Sequence, residues 1–319
     1  MTFFVILFLL IGVLALYKGA DLMIDHSSAL ATKFGVSTVV IGITVITLGS
    51  IMPELSIVIT SSLSNANDLI IGNALGSSIL KLGFIFGLAA IISPISIKES
   101  TLKHEFPWIM LASVLIFFLA FDLTISRGDA MLLIALGILF QWYSVKVSQR
   151  EVLEDIGKHK MKKRKKKAMK SSKAWIKIII GLLLIIGGAK LFVDSSLAIA
   201  LWLGVSQLFV GIIIIAIGAS IPEFMVTIMS AVRHHPGLGI GNIIGSNVMN
   251  VHLVVGIAAL IKPLKIHPDL LIFDFPAFIF FAILAAVMFK SSHKLSRFEG
   301  GVLVVGYILY FIYSVKFWG

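Results

Sequence analysis

The chain is a succession of long apolar stretches separated by short polar breaks. Windows near the ~20 residues needed to cross a bilayer fall at 3–25, 37–63, 68–92, 106–122, 128–147, 174–196, 205–232, 237–261, 268–289 and 299–316. They predict ten membrane-spanning helices. The expected class is therefore an all-α membrane protein.

The pattern also repeats. Residues 49–54 read GSIMPE and 72–78 read GNALGSS, while 218–223 read GASIPE and 241–247 read GNIIGSN. A constant offset of 169 relates the copies without a gap from Gly19 (Gly188) through Pro94 (Pro263), pairing Glu54 with Glu223, Asn73 with Asn242 and Ser77 with Ser246. The expected organisation is a first five-helix repeat at 1–148 with its motif at 49–81, a polar loop at 149–173, and a second five-helix repeat at 174–319 with its motif at 218–250. Five spans per copy is an odd number, so the copies face opposite ways in the membrane. The fold expected is therefore two inverted five-helix repeats with discontinuous helices at the centre.

Composition agrees with lipid as the solvent. Hydrophobic residues make up 58% of the chain and charged residues 13%, with a mean hydropathy of +1.04, too little polar surface for a water-soluble protein of this length. The first span has no basic segment before it, and its end at Tyr17 to Asp25 already belongs to the repeat, so it is read as a retained helix and not as a cleaved leader. No cysteine is present, which excludes disulfides and thiolate metal sites.

The net charge of +11 is concentrated in the loop at 149–173. A Lys/Arg-rich loop marks the cytoplasmic side, which puts both termini outside and also places Lys98, Lys103, Arg233, Lys290, Lys294 and Arg297 inside. Lys262 and Lys265 fall outside, against the rule. The basic run has no interleaved aromatics and no folded module around it, so membrane lipid is the expected partner and nucleic acid is not. Trp108, Trp142, Trp175 and Trp318 lie near span ends, where interfacial anchors belong.

The repeated motifs carry the chemistry. Pro53 has no backbone N–H, so the Gly49 carbonyl loses its helical donor and the second span should split, with Ser50 free to cap its second half and Glu54 in the first turn near mid-membrane. Pro222, Gly218 and Glu223 repeat this in the seventh span. A carboxylate at that depth costs roughly 3 to 10 kcal/mol or more, and two at related positions are hard to ascribe to coincidence. Asn73, Ser77, Asn242 and Ser246 share helix faces from which amide and hydroxyl oxygens could complete a shell around the glutamates. Oxygen donors suit hard cations. For Asn73 and Asn242, helix packing explains the residues equally well.

At these residues the chain resembles the sodium/calcium exchanger family of the calcium/cation antiporter superfamily, as a divergent prokaryotic-type member. The family's two alpha-repeats carry a G-T-S-x-P-E segment followed by G-N-x-x-G-S-N, and the resemblance covers nearly the whole chain. It implies a cation site on the second, third, seventh and eighth helices, with the first and sixth moving across them. It further implies that Glu54 and Glu223 are the main ligands, helped by Ser50, Ser77, Ser220, Ser246 and nearby carbonyls. The activity implied is secondary active cation antiport in the cell membrane, without catalysis or a cofactor, with Ca²⁺, Na⁺ and H⁺ as candidate ions. A channel and an intramembrane acid/base enzyme are the competing classes; broken helices between inverted repeats favour alternating access over a continuous pore.

The chain departs from the pattern at several positions. Each repeat lacks one hydroxyl of the Thr-Ser pair, having Ser50-Ile51 and Ala219-Ser220. Four residues beyond Ser77 and Ser246, where an amide or acid is common in the family, stand Lys81 and Asn250. Lys81 is about twelve residues, or roughly 18 Å of helix, from either end of its span, too far to snorkel to water. Its counter-charge should be Glu54 or Glu223, and with all three ionised the site sums to −1. Lys81 could then stand in for a bound cation, or release its proton when one enters; the sequence leaves both open. His252, opposite Gly83 by the offset, is read either as a pH sensor or as packing against glycine. Asp25 and Asp194 are expected to cap or pair.

Overall fold

The protein is described here from a computed structural model, covering residues 2–63, 67–158, 171–202, 218–292 and 294–318. The first half of the predicted seventh span and residues 159–170 of the basic loop lie outside the described residues. Eight of the described helices are long and apolar enough to cross a membrane, and a bent pair, Thr38–Ser50 with Met52–Ile59, makes a ninth. The 12-residue apolar helix Ile221–Val232 is the described part of the seventh predicted span.

In chain order the helices are α1 (Thr2–Phe34), α2 (Thr38–Ser50), α3 (Met52–Leu63), α4 (Ile70–Ile92), α5 (Glu99–Leu119), α6 (Arg127–Lys158), α7 (Ser171–Trp202), α8 (Ile221–Val232), α9 (Pro236–Ile261), α10 (Pro268–Lys290) and α11 (Arg297–Trp318). Burial sorts them into two classes. In α4 and α9, 72% and 83% of the apolar window is buried, against 22% in α1 and 11% in α11. Thus α4 and α9 form the centre, and the outer helices turn residues such as Leu14, Phe118, Ile138, Leu183 and Leu309 outward. In water such a surface would drive association; in lipid it is the solvated face.

The pair α1 and α7 is held by close backbone approach. A Cβ on Gly12 would meet the Gly188 carbonyl, and one on Gly19 would meet the Gly181 carbonyl and Ile185. By the offset of 169, Gly12 corresponds to Gly181 and Gly19 to Gly188, so the helices cross antiparallel with each glycine facing the counterpart of the other. Small residues permit this contact where apolar side chains gain nothing by leaving lipid. At 33 residues, α1 is roughly 50 Å long, well beyond the ~30 Å hydrocarbon core.

Four two-residue strands join the halves: β1 (Ile95–Ser96), β2 (Thr124–Ile125), β3 (Leu264–Lys265) and β4 (Lys294–Leu295). β1 pairs antiparallel with β4, and β2 with β3. Because α5 runs from β1 to β2 and α10 from β3 to β4, these pairings make α5 and α10 antiparallel. The offset maps β1 onto β3, and the two occur in different pairs.

The proline break is milder than predicted. The chain does not unwind before Pro53; it bends by 42° at a single residue, Ile51, whose backbone stays in the right-handed helical region at φ −76°, ψ −4°. Ile51 N–H still donates to Thr47 O at 3.0 Å and Leu55 N–H to Ile51 O at 2.9 Å. Losing one donor therefore costs a kink and no free segment.

Candidate functional site

The site is assembled from two kinds of irregularity. Glu54 lies in the first turn of α3 and Glu223 in the first turn of α8, with Pro222 opening that helix. Helix N-termini favour negative charge, so both carboxylates stand where the backbone helps them. The second irregularity is a wide π-helical turn, at Lys81–Ile85 in α4 and at Asn250–Val255 in α9, with a further one at Gly42–Ile46 in α2. Such turns put an extra residue into a helix and re-aim its side chains. Those in α4 and α9 begin at Lys81, which departs from the amide or acid common in the family, and at its offset partner Asn250, which keeps an amide.

Lys81 and Glu54 are both fully buried, and Nζ lies 3.2 Å from Glu54 Oε1. Of the two candidate partners, Lys81 takes Glu54. The Asn250 amide, oriented to satisfy its neighbours, donates from Nδ2 to Glu54 Oε2 at 2.9 Å, while its oxygen accepts from Ser77 Oγ at 2.6 Å and from Lys81 Nζ at 3.2 Å. Both oxygens of Glu54 are therefore occupied by this protein's own side chains.

Glu223 is the opposite case. It is equally buried, yet neither carboxylate oxygen has a hydrogen bond of acceptable geometry. The Ser50 hydroxyl and the residue's own backbone N–H are close by, and the charges of Glu54 and Lys81 act on it. Among the described residues it is the one buried carboxylate with both oxygens lacking a partner. Ser220 Oγ, three residues before it, is likewise buried without a hydrogen bond.

Asn242 serves as a strut. Its Oδ1 accepts from Ser50 Oγ at 3.2 Å, and its Nδ2 lies 3.4 Å from both Glu223 O and Thr227 Oγ1. The Ser50 hydroxyl, expected to cap α3, reaches across to this amide and to Thr47 O. Ser246 donates to Ile243 O at 3.3 Å on its own helix. Asn73 is buried, with its Nδ2 unpartnered.

Sequence reasoning missed Thr47 and Thr227. Thr47 Oγ1 donates to Gly42 O at 2.9 Å and approaches Asn242 O at 3.4 Å. Thr227 follows Glu223 by four residues, a helical spacing that could have flagged it. His252 is buried, bonded through Nδ1 to Val248 O at 2.9 Å, with its Cβ against Gly137. It packs on a glycine, although the glycine is on α6 and is not the offset partner Gly83. Asp194 pairs with Lys190 at 3.2 Å on an exposed face.

A family profile described as "Sodium/calcium exchanger protein" matches residues 4–146 and 173–316. The chain belongs to the sodium/calcium exchanger family. It is 30% identical to the sodium/calcium exchanger MaX1 of Methanosarcina acetivorans, over 96% of this chain and 97% of that one. It is 29% identical to the inner membrane protein YrbG of Escherichia coli, over 95% and 94%. Among solved structures it is similar to the sodium-calcium exchanger NCX_Mj soaked with 10 mM Na⁺ and zero Ca²⁺, with a TM-score of 0.84 at 29% identity, covering 97% of this chain and 98% of that chain. This family membership identifies a multi-pass membrane protein that is a cation antiporter, and the channel reading is not favoured.

Proposed function

We propose that the chain exchanges inorganic cations across the cell membrane by alternating access, at a site lined by Glu54, Glu223, Ser50, Ser77, Ser220, Ser246, Asn250, Asn73 and Asn242, with Lys81 setting its charge. The observation that carries this reading is the burial of two carboxylates in the first turns of two broken helices related by the 169-residue offset. Na⁺ and Ca²⁺, the ions named for the relatives, are the candidate substrates, and H⁺ is a further one because three ionisable groups meet at the site.

The ten-span inverted layout belongs to the same proposal. The strand pairing supports it: β1 and its counterpart β3 lie at opposite ends of antiparallel helices, as copies of opposite orientation require. With the basic loop at 149–173 in the cytoplasm, β1–β4 lies inside, β2–β3 outside, and both termini outside.

Flux in proteoliposomes tests the function. With Na⁺, Ca²⁺ and H⁺ gradients imposed one at a time, an antiporter releases its loaded cation only when a cation is supplied on the opposite side. Release into cation-free buffer at the same rate would identify a channel.

A further inference from the structure

We propose that Lys81 is a built-in cation that permanently occupies the Glu54 half of the site, so that the chain carries one monovalent alkali cation per cycle, held at Glu223. This rests on the antiporter reading above and narrows its substrate.

The argument begins with occupancy of donors and acceptors. Glu54 spends one oxygen on Lys81 and the other on Asn250, so a cation entering there must first displace an ammonium. Lys81 has no exposed surface, and a charge parted from its partner in such surroundings is strongly destabilising. Displacement is therefore disfavoured, and the pair behaves as neutral furniture.

What remains is Glu223. Among the described residues its two oxygens have no hydrogen-bond partner, and the Ser220 hydroxyl, likewise without one among them, stands in the same break, with Ser50 close by. The donor set is one carboxylate and neutral oxygens. Ca²⁺ takes six to eight oxygens, and its affinity rises with the ligand charge supplied. Bound here, it would leave a uncompensated positive charge in a buried setting; Na⁺ would leave none. The arrangement selects charge one.

Equilibrium binding of radioactive Na⁺ and Ca²⁺ to the purified full-length protein in detergent decides it. Expected are saturable Na⁺ binding with a stoichiometry of one per chain and a Hill coefficient near one, loss of that binding in Glu223→Gln, and no saturable Ca²⁺ binding. In Lys81→Asn, and in Lys81→Met as a second variant that removes the charge without adding an amide, saturable Ca²⁺ binding should appear, because the ammonium that occupies Glu54 has been removed. Saturable Ca²⁺ binding by the unmodified protein, displaced cooperatively by several Na⁺, would overturn the proposal while leaving the antiporter reading intact. An unmodified protein that binds neither ion would also overturn the proposal, and the flux assay above would then decide the antiporter reading separately.

Discussion

Lys81 Nζ lies 3.2 Å from the amide oxygen of Asn250, and these two residues are the same position in the two halves of the chain. The two matched motifs therefore meet at these side chains. The two glutamates each lie in a helix's first turn and are distinguished by the company they keep, Glu54 having the Lys81 ammonium and the Asn250 amide on its oxygens.

This difference predicts unequal consequences for two matched substitutions. Glu54→Gln leaves Lys81 without its counter-charge and should lower stability by roughly 3–5 kcal/mol, the usual cost of breaking a buried pair. Glu223→Gln removes a carboxylate whose oxygens have no hydrogen-bond partner among the described residues, so it should be neutral or stabilising while abolishing transport. Thermal unfolding of the two variants in the same detergent, followed by flux assays, tests both statements; equal destabilisation would contradict the unequal roles.

Cysteines introduced into the basic loop between residues 149 and 173, and into the tail after Phe317, should react with a membrane-impermeant reagent from opposite sides of the membrane. Labelling from one side would reject the ten-span layout.

Gly19→Val should separate α1 from α7, because even a Cβ at Gly19 meets the Gly181 carbonyl and Ile185. Overpacking of this kind costs about 1–3 kcal/mol. The expected result is a protein that still inserts in the membrane but melts lower and transports slowly, whereas Gly301→Ala, where a Cβ meets nothing, should match the parent in both assays.

Asp21 on α1 forms an ion pair with Arg233 at the end of α8. Both groups are partly accessible, so the pair is expected to contribute about 1 kcal/mol or less to stability, and its effect should appear as a change in exchange rate. Asp21→Asn and Arg233→Gln should change the rate in the same direction, with the double variant no further from the parent than either single one. Additive effects would show that the contact does not couple the two helices.

Much of this was legible in the sequence because lipid enforces it. Apolar length located the helices, the gapless repeat located Glu54 and Glu223, and the isolation of Lys81 from both span ends foretold a buried counter-charge. Three things were not legible. The choice of Glu54 over Glu223 depends on how the wide turn at Lys81 aims its side chain, which leaves no mark in composition. The retained hydrogen bonds around Ile51 made the break a kink, because a missing proline donor removes one bond and does not determine what its neighbours do. Thr47 looks like an ordinary small residue in an apolar helix, and its part in the polar cluster emerges only when α2 and α9 are brought together.

The strand pairs have a consequence for the order in which the protein can be made. β2 obtains its partner once Leu264 and Lys265 have emerged, but β1 must wait for Lys294 and Leu295, close to the end of the chain. The first five helices are thus synthesised with an edge that only the last connection can close. A nascent chain halted between α10 and α11 would hold every residue of the candidate site and still lack the clasp at one of its ends.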